Sequence, residues 1–229
     1  MPRYDIVLLD ADNTLFDFDA AEHQALRQTL ERYGHSPTRE TETLYLRINR
    51  TLWAAFDRGE VTQEVLVVER FRRLLTALGG EQDPAGMNRD YLAALARCSI
   101  LLPGAEDFCH TLVQSGCRLA LATNGVASVQ WGRLKASPLS PLLEAVFISE
   151  ELGAQKPQPV FFDRVFAALN VTDRSRSAIV GDGLRSDILG GRNAGIDTIW
   201  YNPRGLPGDP AVAPTRNAAS YEEILNWIL

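Results

Sequence analysis

Cysteine, histidine and lysine are all scarce in this 229-residue chain: three Cys, three His, and only Lys135 and Lys156 among 23 basic residues. Cys98, Cys109 and Cys117 are odd in number, lack close metal-type spacing and are too few for a disulfide framework, so they read as reduced and packed. No apolar run approaches the ~20 residues of a membrane span, and Asp5, Asp10 and Asp12 interrupt any signal-peptide pattern. A cytoplasmic protein without membrane attachment is expected. Positive charge is short as well: 23 Lys and Arg against 29 Asp and Glu leave a net charge of −6, the wrong sign for binding nucleic acid. A small polar substrate suits that balance better. What is present is an apolar share of 45%, enough to build a core and to exclude a disordered or fibrous chain. The length predicts one large domain, or a core with a smaller insertion.

Ile6–Leu9 is a short apolar run ending at Asp10, which reads as a strand buried on both faces. Similar runs recur at Leu119–Ala122, Val146–Ile148, Ala178–Val180 and Thr198–Tyr201. Helix-length stretches separate them, at Ala105–Gln114, Ser128–Ala136, Val160–Leu169 and Leu184–Ala194, the last stopped by Gly195. Alternation of this kind predicts a parallel α/β sheet from about residue 100 onward. Residues 17–99 contain no convincing strand and read as amphipathic helices at Ala20–Tyr33, Glu40–Arg58, Gln63–Leu78 and Ala85–Arg97. The expected organisation is a sheet domain of residues 1–16 and 100–229, interrupted by a helical cap at 17–99 that can rock as a lid over the strand ends. Asn202–Thr215 is rich in Pro and Gly and reads as a loop before a last helix, Tyr221–Leu229.

Ligands of open parallel sheets bind beyond the carboxyl ends of the strands. The first strand delivers Asp10-Ala11-Asp12-Asn13-Thr14, where residues two apart in extended chain point the same way. The second delivers Thr123-Asn124-Gly125, the loop after the third carries Lys156-Pro157, and the fourth delivers Gly181-Asp182 with Asp187 following. Two carboxylates ~5 Å apart at an effective dielectric of ~20 repel by roughly 3 kcal/mol, so such a cluster needs a cation. Carboxylate oxygens without His or Cys suit a hard ion, and Mg²⁺ binds through carboxylates together with substrate phosphate oxygens. Thr123 and Asn124 offer donors, and Lys156 a compact positive charge retained where arginine is otherwise the rule. The chemistry this permits is attack on phosphorus by Asp10, with Asp12 as the acid that protonates the leaving oxygen and the base that later activates water. Thr14 reads as a turn residue that orients Asp10.

These motifs resemble those of haloacid dehalogenase superfamily phosphatases: Asp-x-Asp-x-Thr at Asp10, Asp12 and Thr14, a strand-ending Thr at Thr123, then Lys156, then Gly-Asp at Asp182 with Asp187 behind it. The resemblance implies a Rossmann-like core with an inserted helical cap, and a metal held by the Asp10 carboxylate, the Asp12 main-chain carbonyl and the Asp182 carboxylate. Asp187 would support the metal site, and Thr123 and Lys156 would hold phosphate. Within the superfamily the chain is most similar to bacterial pyrimidine 5′-nucleotidases of the YjjG type. The likeness lies in Phe16-Asp17-Phe18-Asp19, Leu52-Trp53, Ile148–Gly153 and Ser186–Gly195. It implies hydrolysis of a nucleoside monophosphate with Mg²⁺; both a monomer and a homodimer fit the sequence.

In the expected cap, Asn49, Trp53 and Phe56 share one helix face. An aromatic ring beside an amide suits a nucleobase, so Asn49 and Trp53 are candidate substrate contacts, although such aromatics also serve as core. Phe18, at the first crossing between sheet and cap, either borders the site or packs a hinge. Two readings stand beside the nucleotidase: a phosphatase or phosphomutase for a small sugar phosphate or phosphoglycolate, and a catalytically silent nucleotide-binding regulator.

Overall fold

A computed structural model of the chain describes residues 2–229. Six parallel strands form one sheet: β1 (Ile6–Leu9), β2 (Arg118–Thr123), β3 (Ala145–Ile148), β4 (Ser177–Gly181), β5 (Asp197–Tyr201) and β6 (Arg216–Ala218), in the order β3-β2-β1-β4-β5-β6. Strand order reverses at β1, which makes its carboxyl end the switch point where open α/β sheets bind ligands. Side chains of β1 alternate between the two faces as a period of two requires. Val7 and Leu9 pack with α5 (Ala105–Gln114) and α10 (Tyr221–Ile228), whereas Ile6 and Leu8 pack with α8 (Pro159–Ala168). The sheet is thus covered on both faces. Cys98, Cys109 and Cys117 are buried and unpaired.

Four helices follow the first strand: α1 (Phe18–Arg32), α2 (Arg39–Asp57), α3 (Gln63–Leu78) and α4 (Pro84–Leu95). Each starts where a side-chain oxygen is placed to accept from an otherwise orphan backbone N–H: Asp17, Thr38, Thr62 and Asp83. Proline at the first position of α4 costs no hydrogen bond there. The helices share a hydrophobic cluster of their own, with Tyr45, Phe71 and Tyr91 in mutual contact and the Arg70 guanidinium 4.6 Å over the Tyr91 ring. The two chain crossings run side by side. Asp17 N donates to the Ile100 carbonyl at 2.9 Å and Leu102 N to the Leu15 carbonyl at 2.9 Å.

Three elements depart from the expected pattern. β6 is a three-residue edge strand too short to show periodicity. Helix α7 (Ser149–Leu152) is a single turn between β3 and the Lys156 loop. The helix expected over Leu184–Ala194 opens instead as a wide π-type turn over Leu184–Ile188 before α9 (Leu189–Asn193). That wide turn swings Asp187 back beneath the end of β4. A Cβ on Gly181 would lie 2.3 Å from the Asp187 carboxyl carbon, so only glycine admits this approach.

Candidate active site

Sheet register brings the motifs together. Leu9 pairs with Leu121 of β2 and with Val180 of β4, so Asp10 emerges beside the ends of both neighbouring strands. Asp10 and its surroundings form the floor of a cleft of about 300 Å³ between sheet and cap. Asp10, Asp12, Thr123, Asn124, Lys156 and Asp182 all line it, and Trp53 reaches it from the cap.

Lys156 is 1% exposed, and each of its three ammonium protons has an acceptor: Asp10 Oδ1 at 2.7 Å, Asp187 Oδ1 at 2.6 Å and the Ala122 carbonyl at 2.6 Å. Burial alone would lower its pKa, but Asp10 and Asp187 outweigh burial and push it upward. Lys156 is therefore a fixed charge beneath the Asp10 carboxylate. To touch a phosphate it must exchange one of these bonds. Asn124 clamps the loop that carries it, donating from Nδ2 to the Lys156 carbonyl and accepting from the Lys156 N–H, both at 2.9 Å. Thr14 bridges two strand ends: its hydroxyl donates to Asp10 Oδ2 at 3.4 Å and accepts from Asp182 N at 3.1 Å. Thr123 Oγ1 accepts from Gly125 N at 3.0 Å. Aromatic donors hold these loops from behind, Tyr221 Oη to the Thr14 carbonyl at 2.6 Å and Trp200 Nε1 to the Asp182 carbonyl at 2.9 Å.

The arrangement is suited to a hard cation. Carboxylate oxygens of Asp10, Asp182 and Asp187 lie within 4.8 Å of one another, with no sulfur or imidazole among them. Burial, opposed by Lys156, pushes the Asp10 carboxyl up to about 7, and burial with the Asp10 and Asp187 charges lifts Asp182 well above the carboxylate range. One lysine does not neutralise this group. Both oxygens of Asp187 accept hydrogen bonds, from Lys156 Nζ and from Gly183 N at 2.9 Å, as do both oxygens of Asp10, from Lys156 and Thr14, so Asp182 is the freest of the three carboxylates.

Cap residues are placed less uniformly. Trp53 lines the cleft while packing edge-on against Phe56, ring centres 5.4 Å apart, so it serves both as wall and as packing. Phe56 itself is buried in a small cluster with Leu52 and Leu66. Asn49 is buried and bonded within the cap: Nδ2 donates to Glu22 Oε1 at 2.7 Å, and Oδ1 accepts from Arg70 Nη1 at 3.3 Å. Phe18 both lines the cleft and packs at the first crossing.

Asp57, Arg70, Gln130 and Arg133, outside the sequence motifs, also line the cleft. Gln130 and Arg133 had a readable signal, two polar residues three apart on the helix that follows Thr123-Asn124-Gly125. Asp57 had none. It is a carboxylate at a helix end that burial and the Asp187 charge push up to about 6.

Comparison with known proteins agrees with this geometry. The family model for haloacid dehalogenase-like hydrolase matches residues 4–195. Pyrimidine 5′-nucleotidase PynA of Streptococcus pneumoniae is 38% identical over 98% of this chain and 95% of its own length. Pyrimidine 5′-nucleotidase YjjG of Escherichia coli is 32% identical over 97% of this chain and 96% of its own. The crystal structure of the HAD-hydrolase YfnB from Bacillus subtilis, bound to magnesium, superposes with a TM-score of 0.93 at 37% identity, covering 98% of both chains. With that family model covering residues 4–195 and these relatives matched over nearly the whole chain, the chain belongs to the haloacid dehalogenase-like hydrolase family.

Proposed function

We propose that the protein is a Mg²⁺-dependent phosphomonoesterase acting on nucleoside 5′-monophosphates through a phosphorylated Asp10. The observation that carries this reading is the cleft itself. Its floor is a carboxylate held by Lys156 and Thr14, and its cap wall joins the apolar Phe18, Trp53, Leu92 and Leu95 to the charged Asp57 and Arg70. A small anion fits the floor and a flat, weakly polar group fits the wall. The relatives named for pyrimidine 5′-nucleotidase activity support the same substrate class.

In the first step an Asp10 oxygen attacks phosphorus, the bond from phosphorus to the leaving oxygen breaks, and Asp12 gives that oxygen its proton. In the second, Asp12 takes a proton from water as the water oxygen attacks the acyl phosphate, releasing inorganic phosphate and the Asp10 carboxylate. Lys156 and Thr14 hold Asp10 for attack, and Asn124 holds the Lys156 loop. Thr123 would donate a hydrogen bond from its hydroxyl to a phosphate oxygen. Asp10, the Asp12 carbonyl and Asp182 would hold Mg²⁺, backed by Asp187. When bound, the ion supplies charge neutralisation for the carboxylates and phosphate oxygens.

Steady-state kinetics with Mg²⁺ on uridine, thymidine and adenosine monophosphates, against hexose phosphates and phosphoglycolate, tests the reading. The expected order places pyrimidine nucleotides first in kcat/KM. Preference for a sugar phosphate would overturn the nucleotide assignment, and absence of phosphate release on every substrate would overturn the phosphatase. Trp53→Ala should raise KM for nucleotides while leaving KM for phenyl phosphate unchanged.

A further inference from the structure

Helix α6 (Ala127–Lys135) carries two side chains to which the reaction above gives no part. Gln130 and Arg133 face the cleft three residues apart, and each takes one oxygen of Asp12. Gln130 Nε2 donates to Oδ2 at 3.0 Å, and Arg133 Nη2 donates to Oδ1 at 2.5 Å. Both side chains are withdrawn from water, Arg133 at 0% exposure and Gln130 at 1%. A buried arginine that only packs is expected to have its N–H donors paired, because each unpaired one costs stability. Here Arg133 Nε and Nη1 and Gln130 Oε1 have no partner among the described residues. The guanidinium lies instead 5.0 Å over the Phe16 ring and 5.9 Å from that of Phe18. Its one carboxylate partner is the group assigned the proton transfers.

The same helix is fastened to the cap and to both crossings. Val129 packs in the cap's hydrophobic cluster, and Gly132 meets Ala96 so closely that a Cβ there would lie 2.7 Å from the Ala96 Cβ. Ser99 Oγ donates to the Arg133 carbonyl at 2.9 Å, at the second crossing, while Phe16 and Phe18 flank the first. One short helix thus touches the cap, both crossings and Asp12.

We infer that Arg133 and Gln130 are positioning residues that aim the Asp12 carboxyl group at the leaving-group oxygen, and that α6 ties this aim to the seating of the cap. Each Asp12 oxygen accepts a single hydrogen bond and keeps a second lone pair free for the proton. The charged Arg133 is the stronger of the two grips and holds Oδ1, so Oδ2, held by the neutral amide of Gln130, is the oxygen that carries the proton. This inference rests on the assignment of Asp12 as acid and base.

The test uses the intact enzyme with Mg²⁺ and two aryl substrates, phenyl phosphate and p-nitrophenyl phosphate, the second having a leaving group that needs little protonation. Arg133→Met and Gln130→Met should lose kcat/KM for phenyl phosphate by about 10²-fold, the lower range of general acid catalysis. The loss for p-nitrophenyl phosphate should be at least tenfold smaller, with KM unchanged, and Arg133→Lys should recover part of it. Equal losses on both substrates would show a merely structural role, and a raised KM at constant kcat would show substrate binding; either result overturns the inference. If Arg133→Met does not fold, Gln130→Met, a neutral exchange of similar size, carries the same comparison. Asp12→Asn separates this inference from its premise. If Asp12→Asn shows no dependence on the leaving group, the acid assignment fails. If it does and the α6 variants do not, only the positioning role fails.

Discussion

Lys156 is a residue whose charge is shared among more acceptors than it can leave. Removing it leaves the buried Asp10 and Asp187 carboxylates without their cation, and breaking a buried ion pair costs about 3–5 kcal/mol. Lys156→Met should therefore lower urea stability by about that amount in metal-free buffer. Lys156→Arg should not restore activity, because a planar fork cannot donate to three acceptors arranged around one point. Asp10→Asn keeps the shape and removes the nucleophile; its kcat should fall by at least about 10³-fold with an unaltered circular dichroism spectrum. Asp10, Asp12 and Asp182 were legible as cleft candidates because a strand end dictates which way the next residues point, and Lys156 because it stands out in the loop after the third strand as one of two lysines. That Lys156 has no free proton, and that Asn124 is a clamp, was not legible. Those facts depend on which acceptors the fold brings within 3 Å, among them the Ala122 carbonyl, and no spacing encodes that.

At the scale of elements, the cap buries a carboxylate far from the cleft floor. Glu22 on α1 bonds with Asn49 and Tyr91, and burial pushes it up to about 7, against the pull of Arg70. A folded-state pKa above the unfolded value of 4.5 means that the folded protein binds the extra proton. Stability from this group is full below pH 4.5 and is lost as pH rises through 7. Glu22→Gln should leave stability unchanged at pH 4 and raise it by about 3 kcal/mol at pH 8, read by denaturant titration at the two values. Helix α6 makes a contrasting demand, for absence rather than presence of a group. Gly132→Ala would place a methyl 2.8 Å from the Ala96 carbonyl oxygen, and overpacking of this kind costs about 1–3 kcal/mol. The variant should melt earlier and lose kcat on nucleotides, since the helix it displaces also carries Gln130 and Arg133. Helix existence was readable from periodicity and capping residues; the π-type turn at Leu184–Ile188 was not, because it answers to the passage of Asp187 under Gly181.

For the molecule as a whole, a cation held by the acidic cluster would link folding to metal. Without a cation, the raised pKa of Asp10 means stability is lost as pH climbs toward 7 and the carboxyl must ionise beside Asp182 and Asp187. A cation that binds only the folded state should stabilise by about 2.7 kcal/mol at a hundredfold excess over its Kd. For a chain of this size that corresponds to roughly 5–10 °C in melting temperature. Mg²⁺ should therefore raise the melting temperature more at pH 7.5 than at pH 5.5, where protons compete for Asp10, and Asp182→Asn should abolish most of the shift. No helix of the described residues is long and apolar enough to cross a membrane.

The net charge of −6, the alternation of strand and helix, and the four polar strand ends were all properties of the linear chain, because each rests on composition or on the local geometry of two to four residues. The grip on Asp12 was not. Gln130 and Arg133 lie 118 and 121 residues from it, and only the packing of α6 between β2 and the cap sets those side chains against one carboxylate. Neither did any local pattern tell that Asn49 is held within the cap while Asp57 reaches the cleft, since both lie on α2 and differ only in what the folded cap places beside them. Chemistry was written in short motifs; the aiming of that chemistry required surfaces that meet only when the chain has closed on itself.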